Sequence, residues 1–292
     1  MQDISVAALG AGGTMGRPMT RALARAGLRV TAWNRSQEKV TGLAADGIKV
    51  ADSPGRAVAG ADFVVTMLTD ADAVTSTMTG EHGALAAMDG TAIWVQMSTI
   101  GERGTDACAR LAADRVIFMD APVLGTRQPA EQADLVILAS GPDEAREPVR
   151  PLFEALGRKT IWAGEAGAGT RLKLVANSWV LSVVEATAET IALAEGLGLR
   201  PELFLEAVGG SALDLPYLRL KAAAITARDF QDPPFALRLA AKDAGLVAEA
   251  AGRRDLDLPL LRAISDRMAE GAARYGDLDF SATYLTSAAR PN

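Results

Sequence analysis

Six short apolar runs mark the first half of this 292-residue chain, and segments of helical periodicity separate most of them. The runs are rich in β-branched residues and do not alternate with polar residues; they cover residues 4–9, 28–33, 62–68, 92–97, 116–120 and 134–139. Strands that are apolar on both faces belong to parallel sheets that helices cover from both sides. The pattern therefore predicts a doubly wound α/β domain.

The pattern changes near residue 164, where a glycine cluster leads into a helical run that continues to about residue 196. Further helical segments follow, with glycine, aspartate and proline breaks between them, at about 201–208, 216–227, 235–252 and 258–274. We predict a Rossmann domain over residues 1–164 and an all-helical C-terminal domain over 165–292, which begins with a long interdomain helix. A helix of this length spans ~40 Å, so we expect a partner subunit to pack on it.

The composition narrows the classes of partner and compartment. The formal net charge of −6 and the scattered arginines argue against nucleic acid or an acidic membrane surface as the partner. Cys108 is the single cysteine, so no intramolecular disulfide forms and no oxidising compartment is required. We find neither a signal-peptide pattern nor an apolar run long enough for a membrane span. We expect a cytoplasmic protein that acts on a small molecule.

A glycine-rich loop, GAGGTMG at residues 10–16, joins the first predicted strand to a helix. Glycines in this context permit a tight turn and let backbone amides approach a pyrophosphate at the positive helix N-terminus. The alternative is a purely structural turn, and the spacing fits two frames, Gly10-Gly12-Gly16 or Ala11-Gly13-Gly16. We predict a dinucleotide site whose cofactor-binding residues are Gly10, Ala11, Gly12, Gly13, Thr14 and Met15.

The type of dinucleotide depends on the end of the second strand, where an acidic residue would bind the ribose 2′-hydroxyl of NAD. This chain has Asn34, Arg35 and Ser36 there. A guanidinium pairs with a 2′-phosphate and stacks on adenine, whereas a carboxylate would repel that phosphate. The segment predicts NADP(H) in preference to NAD(H), and the alternative is a surface turn with a solvated arginine.

Hydride transfer to a carbonyl carbon requires a proton donor near its oxygen. His82, the single histidine, lies in a polar glycine-flanked loop, and one histidine with one cysteine leaves little for a metal site, so no metal is expected. Lys173 lies in the apolar stretch GTRLKLVAN, and Asn177 follows it on the same helical face. Lys173 is either a lysine whose charge extends into water or the general acid and base, with Asn177 as its partner.

Three further segments fit a substrate site. The stretch DAPVLGTRQPAE at 120–131 is expected to be a fixed loop at the carboxyl edge of the sheet, where ligands of open α/β sheets bind. In MSTIG, the hydroxyls either cap the next helix or contact nicotinamide and substrate. In PFALRLAAKDAG, two charged residues form either a solvated pair or part of a site. The candidate residues of these segments are Leu124, Gly125, Thr126, Ser98, Thr99, Phe235, Lys242 and Asp243.

Taken together, these segments resemble the β-hydroxyacid dehydrogenase family over almost the whole chain and in the same order. The matching stretches are GAGGTMGRPM, WNRS, TMLTDADAV, MSTI, DAPVLGTRQPAE, GAGTRLKLVAN and FALRLAAKD. The resemblance implies that Lys173 is the catalytic lysine and Asn177 its partner, and that the protein forms dimers or tetramers through its C-terminal helices. It further implies that Met67, Leu68, Thr99 and Lys242 contact the cofactor, whereas Gly125, Phe235 and Asp243 line the substrate pocket.

Departures from the family pattern leave the substrate open. Leu124 occupies the position where the family commonly has a serine that bonds the substrate carboxylate, and Gln96 replaces a frequent aspartate. Ala176 stands where related 6-phosphogluconate dehydrogenases carry a histidine, while imine reductases usually lack the equivalent of Lys173. The leading hypothesis is an NADPH-dependent reductase of a small aldehyde or keto acid, reversible as a hydroxyacid dehydrogenase. The alternatives are a reductase of imines or less polar carbonyls and a non-catalytic dimeric NADP-binding module.

Overall fold

The computed structural model describes residues 4–288, and the chain divides into two compact units. The first unit ends at Lys173 and the second begins at Leu174. Our predicted domain boundary at residue 164 lies just before the long helix, whereas the two units divide within that helix.

The first unit is built on a six-stranded parallel sheet with the strand order β3-β2-β1-β4-β5-β6, which is the doubly wound order. Its strands are β1 Ser5–Leu9, β2 Arg29–Trp33, β3 Lys49–Val50, β4 Phe63–Thr66, β5 Ile93–Gln96 and β6 Ile117–Asp120. The helices that connect and follow them are α1 Gly16–Arg25, α2 Pro54–Val58, α3 Ala71–Thr79, α4 Gly101–Ala112, α5 Arg127–Glu131 and α6 Arg146–Leu156. The predicted fold class is confirmed.

Helices cover both faces of this sheet, as its apolar strands require. Along β1, Val6 and Ala8 pack into one hydrophobic cluster, and Ala7 and Leu9 pack into another. Because successive side chains of a strand point to opposite faces, these clusters lie on opposite sides of the sheet. All residues of β4 and β5 are buried, which explains why these strands read as continuous apolar runs.

A second, three-stranded sheet was not predicted. It contains β7 Val123–Leu124, β8 Leu135–Ala139 and β9 Gly157–Trp162, in which β7 and β8 are antiparallel and β8 and β9 are parallel. The apolar run at 134–139 therefore belongs to this sheet and not to the main one. Part of the stretch 120–131, expected as a loop, forms β7 and α5. A β-bridge between Asp120 and Ser140 connects β6 with the end of β8.

The second unit is helical, and no β-strand occurs among its described residues. The 29-residue α7, Ala168–Gly196, enters it from the first unit. The next four helices agree with the predicted segments to within a few residues: α8 Pro201–Val208, α9 Pro216–Ala227, α10 Leu237–Gly252 and α11 Pro259–Tyr275. The short α12 Tyr284–Ser287 was not predicted. Proline opens α8, α9 and α11, a position where its missing N–H costs no helical hydrogen bond. Within residues 4–288 there is no helix that combines the length and apolarity needed to cross a membrane.

A buried ion pair lies within the core of the second unit. The Lys221 ammonium on α9 is 2.8 Å from Oδ1 of Asp279 and lies 4.4 Å from the centroid of the Phe280 ring. Asp279 Oδ1 also accepts from the backbone N–H and the hydroxyl of Ser281. Burial lowers the pKa of Lys221, while the Asp279 carboxylate opposes that shift. Each of the two buried charges, the Lys221 ammonium and the Asp279 carboxylate, is therefore stabilised by the other.

We predict that Lys221→Met destabilises the protein by about 3–5 kcal/mol, because it leaves the Asp279 carboxylate buried without its counter-charge. The double variant Lys221→Met with Asp279→Asn leaves no uncompensated charge and is expected to be more stable than the single variant. Chemical denaturation of both variants measures the difference. Arg56→Met, which breaks the exposed pair with Asp52, is the control and is expected to cost less than about 1 kcal/mol. Equal losses for Lys221→Met and Arg56→Met would contradict the prediction.

Candidate active site

The glycine-rich loop is held tightly between strand ends. The backbone N–H groups of Gly10 and Ala11 both donate to the Trp33 carbonyl, at 2.9 and 3.1 Å. Gly10 has φ +94°, and a Cβ there would lie 2.2 Å from the Met67 carbonyl oxygen; a Cβ on Gly16 would lie 2.0 Å from the Gly10 carbonyl oxygen. A Cβ on Gly13, by contrast, would meet its nearest atom at 3.4 Å. The steric requirement therefore falls on the Gly10-Gly12-Gly16 frame.

The N-terminus of α1 remains available to an anion. This helix begins at Gly16, has Met15 at its N-cap without a side-chain cap hydrogen bond, and carries no acidic residue in its first turn. Its positive end is therefore not neutralised by a local carboxylate. Gly13 and Thr14, which precede it, are exposed. These residues fit the pyrophosphate of a dinucleotide, which would bind to backbone N–H groups at this end of the helix.

The end of β2 is bonded to the glycine loop through Asn34. The side chain of Asn34 accepts from the Gly12 N–H at 3.2 Å and donates to the Ser36 carbonyl at 3.0 Å. Arg35, between them, is exposed. The structure thus brings together the loop and the segment on which the predicted cofactor preference depends.

The buried side chain of Ser98 links the segments that follow β4 and β5, where residues predicted to contact the cofactor and the substrate lie. The Ser98 hydroxyl accepts from the Leu68 N–H at 2.9 Å and donates to the Thr66 carbonyl at 3.2 Å. Gln96 holds the Ser98 backbone at both ends, because its Oε1 accepts from the Ser98 N–H at 2.7 Å and its Nε2 donates to the Ser98 carbonyl at 2.8 Å. Ser98 is fully buried, so its contact with a substrate stays a prediction.

The Ser98 hydroxyl, which bonds to Leu68 and Thr66, does not cap the next helix. That helix, α4, begins at Gly101, and the side chain of its N-cap residue Ile100 makes no cap hydrogen bond. Thr99 is half-buried, and its contact with the cofactor stays a prediction. Met67 and Leu68 border the glycine loop, since a Cβ on Gly10 would meet the carbonyl of the first and the side chain of the second.

Lys173 lies in the second turn of α7 and contacts the second sheet. Its half-buried ammonium donates to the Val123 carbonyl of β7 at 2.7 Å. The next residues of that segment, Leu124, Gly125 and Thr126, are the predicted substrate loop. Leu124 is half-buried, and Gly125 has φ +127°, a backbone conformation that favours glycine. The first unit therefore places the predicted proton donor at the strand that leads into the predicted substrate loop.

The sequence reasoning missed Asp120, the last residue of β6. This carboxylate is fully buried and accepts from the N–H and the hydroxyl of Thr170, at 2.7 and 2.8 Å. Burial raises its pKa to about 6, although the hydrogen bonds from Thr170 and Ser140 act in the opposite direction. A charged residue at the end of an otherwise apolar strand is the only signal that the sequence offers for it.

In the second unit, three of the predicted residues form one polar cluster. The Asn177 Nδ2 donates to Asp243 Oδ2 at 2.8 Å, and the Lys242 ammonium is 2.9 Å from Asp243 Oδ1. Asn177 is 5% exposed and Asp243 is 4% exposed, so the pair of Lys242 and Asp243 is not an ordinary solvated pair. Phe235 packs edge-on against Phe280, with ring centroids 5.0 Å apart.

Other chemical groups offer little for catalysis. Among the described residues, no group of three or more histidine, cysteine or acidic side chains is arranged to hold a metal ion. His82 is exposed. Cys108 is buried, and that burial raises the pKa of its thiol to about 12, which keeps it protonated and unreactive.

Comparisons with known proteins cover both units. Residues 5–164 match the family described as the NAD binding domain of 6-phosphogluconate dehydrogenase. Residues 167–286 match the family described as NAD-binding of NADP-dependent 3-hydroxyisobutyrate dehydrogenase. Two adjacent families thus account for nearly all of the described chain in order.

Individual relatives agree with these families. A probable 3-hydroxyisobutyrate dehydrogenase of Mycobacterium tuberculosis is 33% identical over 287 residues, 95% of this chain and 96% of the relative. Glyoxylate/succinic semialdehyde reductase 2 of Arabidopsis thaliana, a chloroplastic protein, is 30% identical over 282 residues, 96% of this chain and 78% of the relative. The solved structure of Mycobacterium tuberculosis 3-hydroxyisobutyrate dehydrogenase with L-serine is 31% identical, with a TM-score of 0.87 and coverage of 98% of this chain and 99% of that one. The chain therefore belongs to the β-hydroxyacid dehydrogenase family, and it is an oxidoreductase that uses a nicotinamide cofactor.

Proposed function

We propose that this enzyme uses NADPH to reduce a small aldehyde or keto acid to the hydroxyacid, and that it catalyses the reverse oxidation. The observation that carries this proposal is the environment of Lys173. Its ammonium is held at the Val123 carbonyl, beside the loop that we expect to contact the substrate. A half-buried ammonium in such a position supplies a proton without a metal ion.

The proposed roles of Lys173 and Asn177 follow from the protons and hydrogen bonds that each side chain can donate. The bound nicotinamide supplies the hydride. Lys173 donates a proton to the carbonyl oxygen in reduction and removes it from the hydroxyl in oxidation. Asn177 follows Lys173 by one helical turn, so the two side chains share a face of α7. Its hydrogen bond to the buried Asp243 carboxylate fixes the amide, and the remaining amide N–H and carbonyl orient Lys173 or bind the reacting oxygen.

The proposed preference for NADP(H) rests on the end of β2. Asn34 bonds to the glycine loop, and the adjacent Arg35 is exposed. An exposed guanidinium at this point is free to approach a 2′-phosphate, and the segment from Asn34 to Ser36 has no carboxylate to repel that phosphate.

A second candidate function is the reduction of an imine or a less polar carbonyl. The observation that favours it is Leu124, which is half-buried on β7 directly after the carbonyl that holds Lys173. A leucine donates no hydrogen bond to a carboxylate. The names of the relatives, 3-hydroxyisobutyrate dehydrogenase and glyoxylate/succinic semialdehyde reductase, support the first candidate, because those substrates carry a carboxylate.

We also propose that the protein acts as a dimer or tetramer through its C-terminal helices. The second unit exposes large apolar side chains, among them Val175 at 66%, Trp179 at 65% and Leu193 at 62% on α7 alone. Val175 and Trp179 are one helical turn apart and therefore neighbours on the surface of α7, and exposed apolar patches on a folded protein mark sites of association. A second copy of the chain would cover it.

The first prediction of the proposed function concerns the proton donor. Lys173→Ala is expected to lower kcat by about 10²–10⁴-fold, because it removes the general acid and base. The dissociation constant for NADPH is expected to stay near the wild-type value. Steady-state kinetics and fluorescence titration measure the two quantities, with Lys159→Ala, at an exposed position on β9, as the control. Full turnover by Lys173→Ala with intact NADPH binding would show that Lys173 is not the general acid.

The second prediction concerns the cofactor. Arg35→Ala is expected to raise the dissociation constant for NADPH by about 10–100-fold, as the loss of a charge-assisted hydrogen bond does. The dissociation constant for NADH is expected to change little, because NADH has no 2′-phosphate. Arg56→Ala in the same unit is the control, and titration with both cofactors is the measurement. Wild-type binding of NADH as tight as that of NADPH would sink the assignment.

The third prediction separates the two candidate substrate classes. Leu124→Ser is expected to raise kcat/KM for glyoxylate and succinic semialdehyde by about 10-fold, through one hydrogen bond to a charged group. It is expected to leave turnover of cyclic imines unchanged or lower it. Rates of NADPH oxidation on the two acids and a cyclic imine are compared side by side. Faster reduction of the imine than of both acids by the wild-type enzyme would favour the second candidate.

A further inference from the structure

The carboxylate of Asp120 closes the start of the helix that carries Lys173. Thr170 is the third residue of α7, and its N–H belongs to the first turn, where a helix has no internal acceptors. The Asp120 carboxylate accepts from that N–H at 2.7 Å and from the Thr170 hydroxyl at 2.8 Å. The Ser140 hydroxyl accepts from the N–H of Gly169 at 2.9 Å. The cap of α7 is thus supplied by the ends of β6 and β8.

The first turn of α7 also approaches these strands more closely than a side chain would allow. A Cβ on Gly169 would lie 2.2 Å from the Leu138 carbonyl oxygen and 2.9 Å from the Asp120 carbonyl oxygen. The negative carboxylate of Asp120 at the positive end of the helix adds a favourable electrostatic interaction in a buried setting. Distance and charge together fix the helix start against the strand ends.

The same two chain segments meet again one helical turn later. Lys173 follows Thr170 by three residues, and Val123 follows Asp120 by three residues. At this second point the Lys173 ammonium donates to the Val123 carbonyl at 2.7 Å. Hydrogen bonds therefore connect the segments 120–123 and 170–173 at both ends. At one end the Asp120 carboxylate is the acceptor, and at the other end the Lys173 ammonium is the donor. We call this arrangement the Asp120–Lys173 ring.

We propose that Asp120 is a positioning residue for catalysis, because its bonds to Thr170 set where the Lys173 ammonium lies. This inference rests on the proposed function, in which Lys173 transfers the proton. A general acid works at hydrogen-bond distance from its target, and a displacement of ~1 Å can cost ~100-fold in rate. The Asp120 carboxylate contacts neither of the reacting partners in this scheme. It acts on turnover by holding the first turn of α7.

The test uses three substitutions in the full-length enzyme. Asp120→Asn keeps the shape but turns one acceptor into a donor; Thr170→Val removes the hydroxyl and keeps the N–H; Thr170→Ser keeps both. Thr187→Val is the matched control, because it deletes a buried hydroxyl on the same helix that bonds only to the Val183 carbonyl. Rates are measured on the carbonyl compound that the wild type reduces fastest, well below the melting temperature of every variant.

We expect Asp120→Asn to lower kcat by about 10–100-fold and Thr170→Val by less, with the NADPH dissociation constant within about twofold of wild type. Thr170→Ser is expected to restore wild-type kcat. The solvent isotope effect on kcat is expected to rise in the two impaired variants, because proton transfer becomes more limiting. A purely structural role would lower the melting temperatures of Asp120→Asn, Thr170→Val and Thr187→Val alike and leave kcat unchanged, which would overturn the proposal.

A readout without turnover separates this proposal from the proposed function. The rate at which an N-hydroxysuccinimide ester labels Lys173, followed by peptide mass spectrometry, reports how firmly its amine is held. We expect faster labelling of Lys173 in Asp120→Asn than in the wild type and in Thr187→Val. Equal labelling rates would overturn the positioning role even if the enzyme is active. Faster labelling of Lys173 in Asp120→Asn, together with a wild-type protein that reduces no carbonyl compound, would contradict the proposed function but support the positioning role of Asp120.

Discussion

A sheet that is buried on both faces leaves its polar side chains only the ends of its strands, and the rest of this structure depends on that constraint. Thr66, Gln96 and Asp120 are the last residues of β4, β5 and β6, they pair in register, and all three are fully buried. Two of these side chains fix chain segments that lie beyond the sheet. Gln96 holds the backbone of Ser98, and Asp120 holds Thr170 at the start of α7. Because ligands of open α/β sheets bind beyond this edge, this buried polar row positions the chain segments that are proposed to contact the ligands.

The fold was predictable where burial alone decides the structure. The fully buried strands β4 and β5 and the helices α8 to α11 follow directly from apolar runs, periodicity and proline positions. The second sheet was missed for two physical reasons. The two-residue β7 is too short to show a period, and the sheet-edge strand β9 carries the exposed cations Arg158 and Lys159, which are typical of a protected strand edge. Strand pairing, which placed β8 outside the main sheet, leaves no mark in local sequence.

The candidate site divides in the same way. Lys173 and Asn177 were found from helical spacing, and the glycine loop from its place between a strand and a helix. The frame of that loop was undecidable, because it depends on the distance from Gly16 to the Gly10 carbonyl. In the sequence, Gln96 was visible only as a departure from a family pattern. In the structure, its amide makes two hydrogen bonds to the Ser98 backbone. Contacts between residues far apart in the chain carry no local signal.

The residues proposed to determine cofactor and substrate preference differ in burial from the residues proposed to position Lys173. Arg35 is exposed, so a substitution there removes few packed atoms, and surface changes of this kind usually alter stability little. Leu124 is half-buried and lies outside the hydrogen bonds between Asp120 and Thr170. Asp120 and Thr170 are buried and bonded to each other, and loss of a buried partner costs the desolvation energy of the group left behind. Cofactor and substrate preference can therefore change on this scaffold without loosening the helix that carries Lys173. The reverse does not hold, because any change that frees the first turn of α7 alters the position of the proposed proton donor for every substrate.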